Sequence, residues 1–352
     1  MKKRIFSFLL VLALIFSIQP IVTVSAEVHH PGTSSRDYVI PLPEDFVALN
    51  PTIYTYTADE NSETVPFSSY VKNVASSEIY PTWEESALRA NILAITSFAL
   101  NRVYTEFYRS RGYDFDITSS TAYDQYFVNG RSYFTNISRL VDELFNDYLR
   151  RPGFVEPLAA KFCNGTTVTC EGLSQWGSQN LAQQGYTSQQ ILRSYYGNVE
   201  TVLNAPIRGN RSSYPGTPLR RGSTGPNVVV VQSSINRIAQ NYPAIPKIAN
   251  VDGIYGSRTE SSVRAFQEIF GLSPDGVVGN ATWYKILFLY NAVKRLNELN
   301  SEGITLSEVT DQFDEATYPG DVGDDVRNIQ YLLAYVAQFY DEIPPLTLDG
   351  IY

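Results

Sequence analysis

The sequence predicts two architectures in one chain: a C-terminal half of small all-α modules with three helices each, and in front of it a larger domain of a different kind. Three observations carry this reading. One stretch of the C-terminal half occurs twice, its apolar residues recur at helical spacing, and the N-terminal part has its own helix-start signals outside the repeat.

The repeat comes first. "GSTGPNVVVVQSSINRIAQNYPAIPKIANVDGIY" (222–255) returns as "GDVGDDVRNIQYLLAYVAQFYDEIPPLTLDGIY" (320–352). Gln232 matches Gln330 at an offset of 98 and Asp252 matches Asp349 at an offset of 97, so one residue is lost between them. In the first copy Val228, Val231, Ile235 and Ile238 share one helical face behind Asn227, which reads as an N-cap. Ser257-x-x-Glu260 reads as a capping box for a second helix, with Val263, Phe266 and Phe270 inward and Gly271 as its stop. Trp283, Ile286, Leu287 and Tyr290 line a third. The first module is expected over 218–290 and a partial, truncated second one over 318–352, joined by a continued helix and loop at 291–317. Residues 203–217 read as the linker before them.

At the other end, Lys2, Lys3 and Arg4 precede the apolar run "IFSFLLVLALIFSI" and the small-residue stretch "VTVSA" that ends at Ala26. A charged start, a short apolar run and a small-residue cleavage site predict a signal peptide over 1–26. The run falls short of the roughly 20 residues that a membrane span needs. The mature chain is therefore expected outside the cytoplasmic membrane, with no span after cleavage. A hydrophobic content of 43% and a charged content of 18% describe an ordinary globular protein. A net charge of −9 argues against nucleic acid as a partner, since phosphates require a basic face. The 25 tyrosines mostly serve cores, but such rings also suit sugar faces.

Residues 36–202 form the N-terminal domain. A short amphipathic segment leads to a turn at Pro81 and then a long helix, for which Thr82-x-x-Glu85 reads as the capping box. Ala87, Leu88, Ala94, Phe98 and Val103 supply its apolar positions. "LSQWGSQNLAQQG" reads as a helix ending at Gly185, and Thr187-x-x-Gln190 caps the next, "SQQILRSYYG".

Three stretches in this domain, taken in order, are "YVKNVASSEIYPTW" followed by Ala87-Leu88-Arg89-Ala90, "SSTAYDQYF" (119–127) and "GLSQWGSQNLAQQGYTSQQILRSYYG" (172–197). Through them the domain resembles the stage II sporulation protein D (SpoIID/LytB) family of peptidoglycan lytic transglycosylases and amidase enhancers. The resemblance implies an α+β fold, glycan strands as substrate and Glu78 as the catalytic acid and base. Gln125, Ser174 and Gln175 become candidates to hydrogen-bond sugar hydroxyls or acetamido groups, against the alternative of a helix cap or a buried structural bond. Trp176 and Tyr195 become candidates for stacking on sugars, against core packing. Three positions depart from the family pattern: Thr96 replaces an arginine, Asn91 a glutamine and Thr169 a histidine.

The first repeat copy resembles the peptidoglycan-binding domain family of the first type. The carrying motifs are Asp252-Gly253-x-Tyr255-Gly256, Thr259, Ala265-Phe266-Gln267 and Asp275-Gly276-Val277-x-Gly279. The resemblance implies a non-catalytic, wall-targeting module.

Cys163 and Cys170, the only two cysteines, admit three readings. A redox pair is expected as Cys-x-x-Cys, which this spacing is not. Zinc needs about four ligands, or three and a water, yet the histidines are His29 and His30 near the chain start, which leaves an acid such as Glu171 to complete a site. An exported chain with paired cysteines favours a disulfide that pins the segment delivering "GLSQWG". The staple ranks ahead of zinc, and zinc ahead of redox; no other cofactor is implied. The expected function is that of a secreted, wall-associated protein that binds peptidoglycan and cleaves its glycan strands through Glu78. The alternative is a non-catalytic binder, or an enhancer of a partner amidase or hydrolase, acting in sporulation or wall remodelling.

Overall fold

A computed structural model of the chain describes residues 52–56, 62–205 and 212–305, with positions 326, 329, 330, 333 and 344 standing alone beyond them. The predicted signal peptide lies outside the described residues, as does all but those isolated positions of the second repeat copy. No helix among the described residues is long and apolar enough to cross a membrane.

The N-terminal region mixes strand and helix. β1 (Thr52–Tyr56) pairs antiparallel with β2 (Ser62–Pro66) and, on its other edge, parallel with β3 (Ile117–Thr118). β2 runs directly into α1 (Phe67–Glu78), whose Phe67, Tyr70, Val71 and Val74 are buried. Next comes α2 (Glu85–Tyr104), the rod of the molecule at about 30 Å. Every residue of α2 from Ala90 to Arg102 is buried, so helices and strands surround it on all sides, as befits a core helix. Two of its buried polar residues tie it to neighbouring elements: Asn91 Nδ2 donates to Ser178 Oγ at 2.7 Å, and Ser97 Oγ accepts from the Leu149 N–H at 2.8 Å.

The capping box expected at Thr82-x-x-Glu85 does not form. Glu84 is the N-cap and makes no side-chain cap bond; its backbone N–H donates to Gln179 Oε1 at 2.9 Å instead. A tertiary partner has replaced the local one.

Beyond α2 lie α3 (Thr135–Leu144) and β4 (Tyr148–Arg150), which pairs antiparallel with β7 (Glu200–Val202). Between them β5 (Phe162–Cys163) pairs parallel with β6 (Leu173–Ser174), and α4 (Gln175–Gln183) and α5 (Ser188–Tyr196) follow. The Thr187–Gln190 capping box is present, both arms made.

In the C-terminal region α6 (Pro226–Asn241), α7 (Ser257–Ile269) and α8 (Asn280–Lys294) share a core of Val228, Val231, Ile235, Ile238, Val263, Phe266, Trp283 and Ile286. Leu289 is buried in α8 while Leu287 and Tyr290 are only partly so. Neither predicted cap holds. α6 starts a residue early, with Pro226 at its first position, so Asn227 is already helical; α7 starts at Ser257 itself, behind Gly256.

Two buried glutamines organise the turns instead. Gln232 Nε2 donates to Asp252 Oδ1, the Ile254 carbonyl and Thr259 Oγ1, while its Oε1 accepts from the Gly253 N–H. Gln267 does the same to Asp275, Val277, Thr282 and Gly276. Each clip thus serves one Asp-Gly-x-x-Gly-x-x-Thr run, and the helix that follows starts from the clipped turn.

The expected joint after this region, a continued helix and then a loop, is described as far as residue 305. α8 ends at Lys294, Arg295 turns left-handed at φ 53°, and residues 296–305 fold back onto the N-terminal region. Asn101 Nδ2 donates to the Leu296 carbonyl at 2.9 Å, and Asn297 Nδ2 donates to Thr105 Oγ1 at 2.6 Å. Glu156 accepts from the Ile304 N–H at 2.8 Å and from Ser301 Oγ at 3.2 Å. Arg237 of α6 holds Glu302 from the opposite side at 2.6 Å. Asn291 Nδ2 of α8 donates to the Thr105 carbonyl at 2.7 Å, so the C-terminal end of α2 anchors the helical region directly. Buried amides with backbone partners explain why the chain returns here rather than running on as a solvated helix. Of the predicted linker, residues 206–211 lie outside the described residues, and Ser213 is bound to Glu106.

Candidate functional site

The three stretches singled out in the N-terminal domain meet at the last residue of α1, Glu78. Loop 119–134 lies along α1 and is tied to it repeatedly. Asn73 Nδ2 donates to the Val128 carbonyl at 2.7 Å, and its Oδ1 accepts from the Val128 N–H at 2.8 Å. The Phe134 N–H reaches Ser76 Oγ at 3.3 Å, and the Tyr70 ring stacks on Phe127 with centroids 5.6 Å apart. Asp124 anchors the loop start through Arg102 Nε at 2.8 Å and the Thr118 N–H at 2.9 Å. Held this way, the loop presents the Tyr126 N–H to Glu78 Oε1 at 2.9 Å.

The opposite wall is built by β6 and α4. Ser174 caps α4, its Oγ accepting from the Gly177 N–H at 3.0 Å. The first helical residue, Gln175, then points its Nε2 at Glu78 Oε2, 3.2 Å away. Two glycines are required by close approach. At Gly177 a side chain would strike the Tyr195 hydroxyl, and at Gly172, with φ 145°, it would strike the Lys161 carbonyl. A disulfide joins Cys163 to Cys170, Cα atoms 6.1 Å apart, and closes the loop that delivers this wall.

An aromatic cluster adjoins Glu78 and Gln175 in the chain. Tyr80, Trp83 and Trp176 form a three-ring cluster, with centroids 5.7 Å apart for Tyr80–Trp83, 5.6 Å for Tyr80–Trp176 and 5.0 Å for Trp83–Trp176. Burial pushes the Glu78 carboxyl above the usual carboxylate range, because low-dielectric surroundings disfavour its charge. The Tyr126 N–H and the Gln175 amide act in the opposite sense, and burial outweighs them.

The predicted site residues separate into two groups. Gln175 and Trp176 stand with Glu78. Gln125 does not: it is 0% exposed, accepts from the Tyr70 hydroxyl at 2.9 Å and donates to the Ile95 carbonyl at 3.0 Å, so it braces the loop and has no face for a sugar. Ser174 takes its structural alternative as a cap. Tyr195 is half-buried, its hydroxyl set against Ser174 and Gly177. At the departures from the family pattern, Asn91 secures Ser178, Thr96 is buried with no partner for its hydroxyl, and Thr169 is exposed in the disulfide loop. The sequence reading missed Tyr126, which acts through its backbone and leaves no side-chain signal. Among the described residues no group of three or more His, Cys, Asp or Glu side chains is arranged to hold a metal.

Comparison with known proteins agrees with this division of the chain. Residues 56–144 match the family model described as "Stage II sporulation protein", and residues 224–286 match the one described as "Putative peptidoglycan binding domain". The chain is 27% identical over 211 residues to the N-acetylmuramoyl-L-alanine amidase CwlL of Bacillus licheniformis, which covers 60% of this chain and 56% of that protein. It is 49% identical over 37 residues to an uncharacterized protein in the bpoA1 3' region of Kitasatospora aureofaciens, which covers 10% of this chain and 31% of that one. It therefore spans about half the length of the first relative and about a third of the second. The crystal structure of the SleB N-terminal domain aligns at 30% identity over 23% of this chain and all of its own, with a TM-score of 0.19. The chain thus carries a segment that matches the stage II sporulation protein model followed by one that matches the peptidoglycan-binding model, the order its motifs predict.

Proposed function

We propose that this protein is exported and cleaves peptidoglycan glycan strands as a lytic transglycosylase, with Glu78 as both general acid and general base. The observation that carries the reading is the convergence on one shielded carboxyl of three separate stretches, beside an aromatic surface. Burial shifts the Glu78 carboxyl toward holding its proton, the direction an acid catalyst needs. Glu78 gives that proton to the glycosidic oxygen as the bond from C1 of the muramic acid breaks, and the bonding pair leaves with the oxygen. The C6 hydroxyl of the same sugar attacks the oxocarbenium-like C1, and its proton passes to the Glu78 carboxylate. The products are a shortened strand and a 1,6-anhydro end, with no water consumed. An internal nucleophile needs no second carboxylate to position a water, and its proximity supplies much of the rate.

Tyr126 and Gln175 donate to the ionised form and so stabilise Glu78 at the moment it has lost its proton. The C-terminal helical region serves as the wall-binding element. Export rests on the features of residues 1–26, and the partial second module on the repeat.

A second reading is that the protein enhances a wall amidase without cutting glycan itself. It is favoured by the similarity to an N-acetylmuramoyl-L-alanine amidase and by Thr96 and Thr169, which bring no cation to the acid. Digestion of purified glycan strands, with and without stem peptides, separates the two. Mass spectrometry should find 1,6-anhydro-muramic acid ends with the native protein and none with Glu78→Gln. Ordinary reducing ends would indicate hydrolysis, and the absence of any product would favour the enhancer.

A further inference from the structure

Within the aromatic cluster beside Glu78 the three rings are not equivalent. Trp83 is 8% exposed, and Trp176 is half-buried between its two neighbours. Tyr80 is 56% exposed, although it touches both. An isolated exposed tyrosine calls for no explanation, but this one is held in place. Its turn, residues 79–84, is fastened at several points. The Trp83 N–H donates to the Tyr80 carbonyl at 3.1 Å, Asn136 Nδ2 donates to the Pro81 carbonyl at 2.6 Å, and the Glu84 N–H donates to Gln179 at 2.9 Å. Three elements, α3, α4 and the start of α2, therefore fix the turn that carries an exposed ring two residues from the acid.

We propose that Tyr80 is a saccharide platform, its exposed face stacking on the pyranose ring next to the glycosidic oxygen that Glu78 protonates. This rests on the glycan-cleaving reading and assigns to Tyr80 the stacking role that the sequence suggested for Trp176. The two indoles are its buttress. A sugar offers a face of C–H groups that matches an apolar ring edged by a hydroxyl. Because the backing rings already hold Tyr80, little side-chain freedom is lost when the sugar binds. The occupant is a hexopyranose of a glycan strand, since the acid two residues from the platform acts, in the proposed reaction, on a glycosidic oxygen.

The test uses the full chain labelled with 5-fluorotryptophan, which carries three tryptophans: Trp83 and Trp176 under Tyr80, and Trp283 in the helical region as an internal control. In a Glu78→Gln background, peptide-free glycan strands are titrated and the fluorine resonances followed. The Trp83 and Trp176 lines should shift saturably. Tyr80→Ala should weaken that response about tenfold while Tyr80→Phe keeps it within about twofold, with the Trp283 line titrating alike in all three. Equal affinity for Tyr80→Ala, or strand binding that moves only Trp283, overturns the platform. If the Tyr80-dependent shift is present and the native protein makes no anhydro ends, the platform stands and the transglycosylase reading falls. If strands are cut but Tyr80→Ala leaves KM unchanged, the reading stands and the platform falls.

Discussion

Glu78 and Glu106 make an instructive pair. Both follow or end a long helix, both are removed from water, and burial raises both carboxyls above their usual range. Each accepts a backbone N–H and side-chain donors: Tyr126 and Gln175 for Glu78, the Ser213 N–H and hydroxyl and the Tyr284 hydroxyl for Glu106. They differ in what covers the remaining side. Over Glu106 lie Ser213 and Tyr284 of the C-terminal region, with the Arg109 charge nearby, and the residue is 8% exposed with its backbone at φ 44°. Beside Glu78 there is instead a braced aromatic surface with an open face. A raised carboxyl is therefore not by itself a catalytic signature, since a structural acceptor sealed by its own protein shows the same shift. What separates the two is access for a ligand on the side that the hydrogen bonds leave free.

The sharpest way to break this contrast is to neutralise both groups. Glu78→Gln should lower the rate of anhydro-end formation by roughly 10²–10⁴-fold, whereas Glu106→Gln should leave it within about twofold; equal losses, measured by mass spectrometry, would sink the distinction. Next in size, Asn291→Leu leaves the buried Thr105 carbonyl without its donor. It should cost about 1–3 kcal/mol in denaturant unfolding and loosen the cover over Glu106 without altering strand cleavage at saturating substrate.

A smaller effect is expected from Gln175→Leu, which deletes one of the two donors that hold the Glu78 carboxyl down. The carboxyl should then rise further, and the alkaline limb of the pH–rate profile should move to higher pH. A purely structural role for Gln175 would lower the rate without moving that limb. The smallest effect concerns stability. A carboxyl raised in the folded state binds its proton more tightly there than in the unfolded chain. Its stabilising contribution is therefore complete below the unfolded value, about 4.3, and is lost as pH rises through the folded one. Thermal midpoints measured from mildly acidic to mildly alkaline pH should fall less in Glu106→Gln than in the native protein.

Much of this site could be read in advance because its signals are local. The capping box at Thr187 needs only residues within one turn, and it is present. The buried face of α6 follows from the spacing of Val228, Val231, Ile235 and Ile238. The other caps failed for different reasons. Gln179 took the place of Thr82 at the start of α2, the turn clipped by Gln232 took the place of Ser257 at the start of α7, and α6 simply begins at Pro226, one residue before Asn227. Gln125 looked like a sugar contact until Tyr70 and the Ile95 carbonyl, both far away in sequence, consumed its two ends.

By itself, then, the sequence determined the order of the two segments and the helical faces of the first repeat copy, and through a family resemblance it nominated a candidate acid. Those properties depend on residue type and on spacing within a few turns. Tertiary structure decided which of two similar carboxyls stays open, which aromatic ring meets solvent, and where the chain after α8 goes. These depend on hydrogen bonds and burial between residues tens to nearly two hundred positions apart, such as Asn297 with Thr105, and no local pattern encodes which partner arrives.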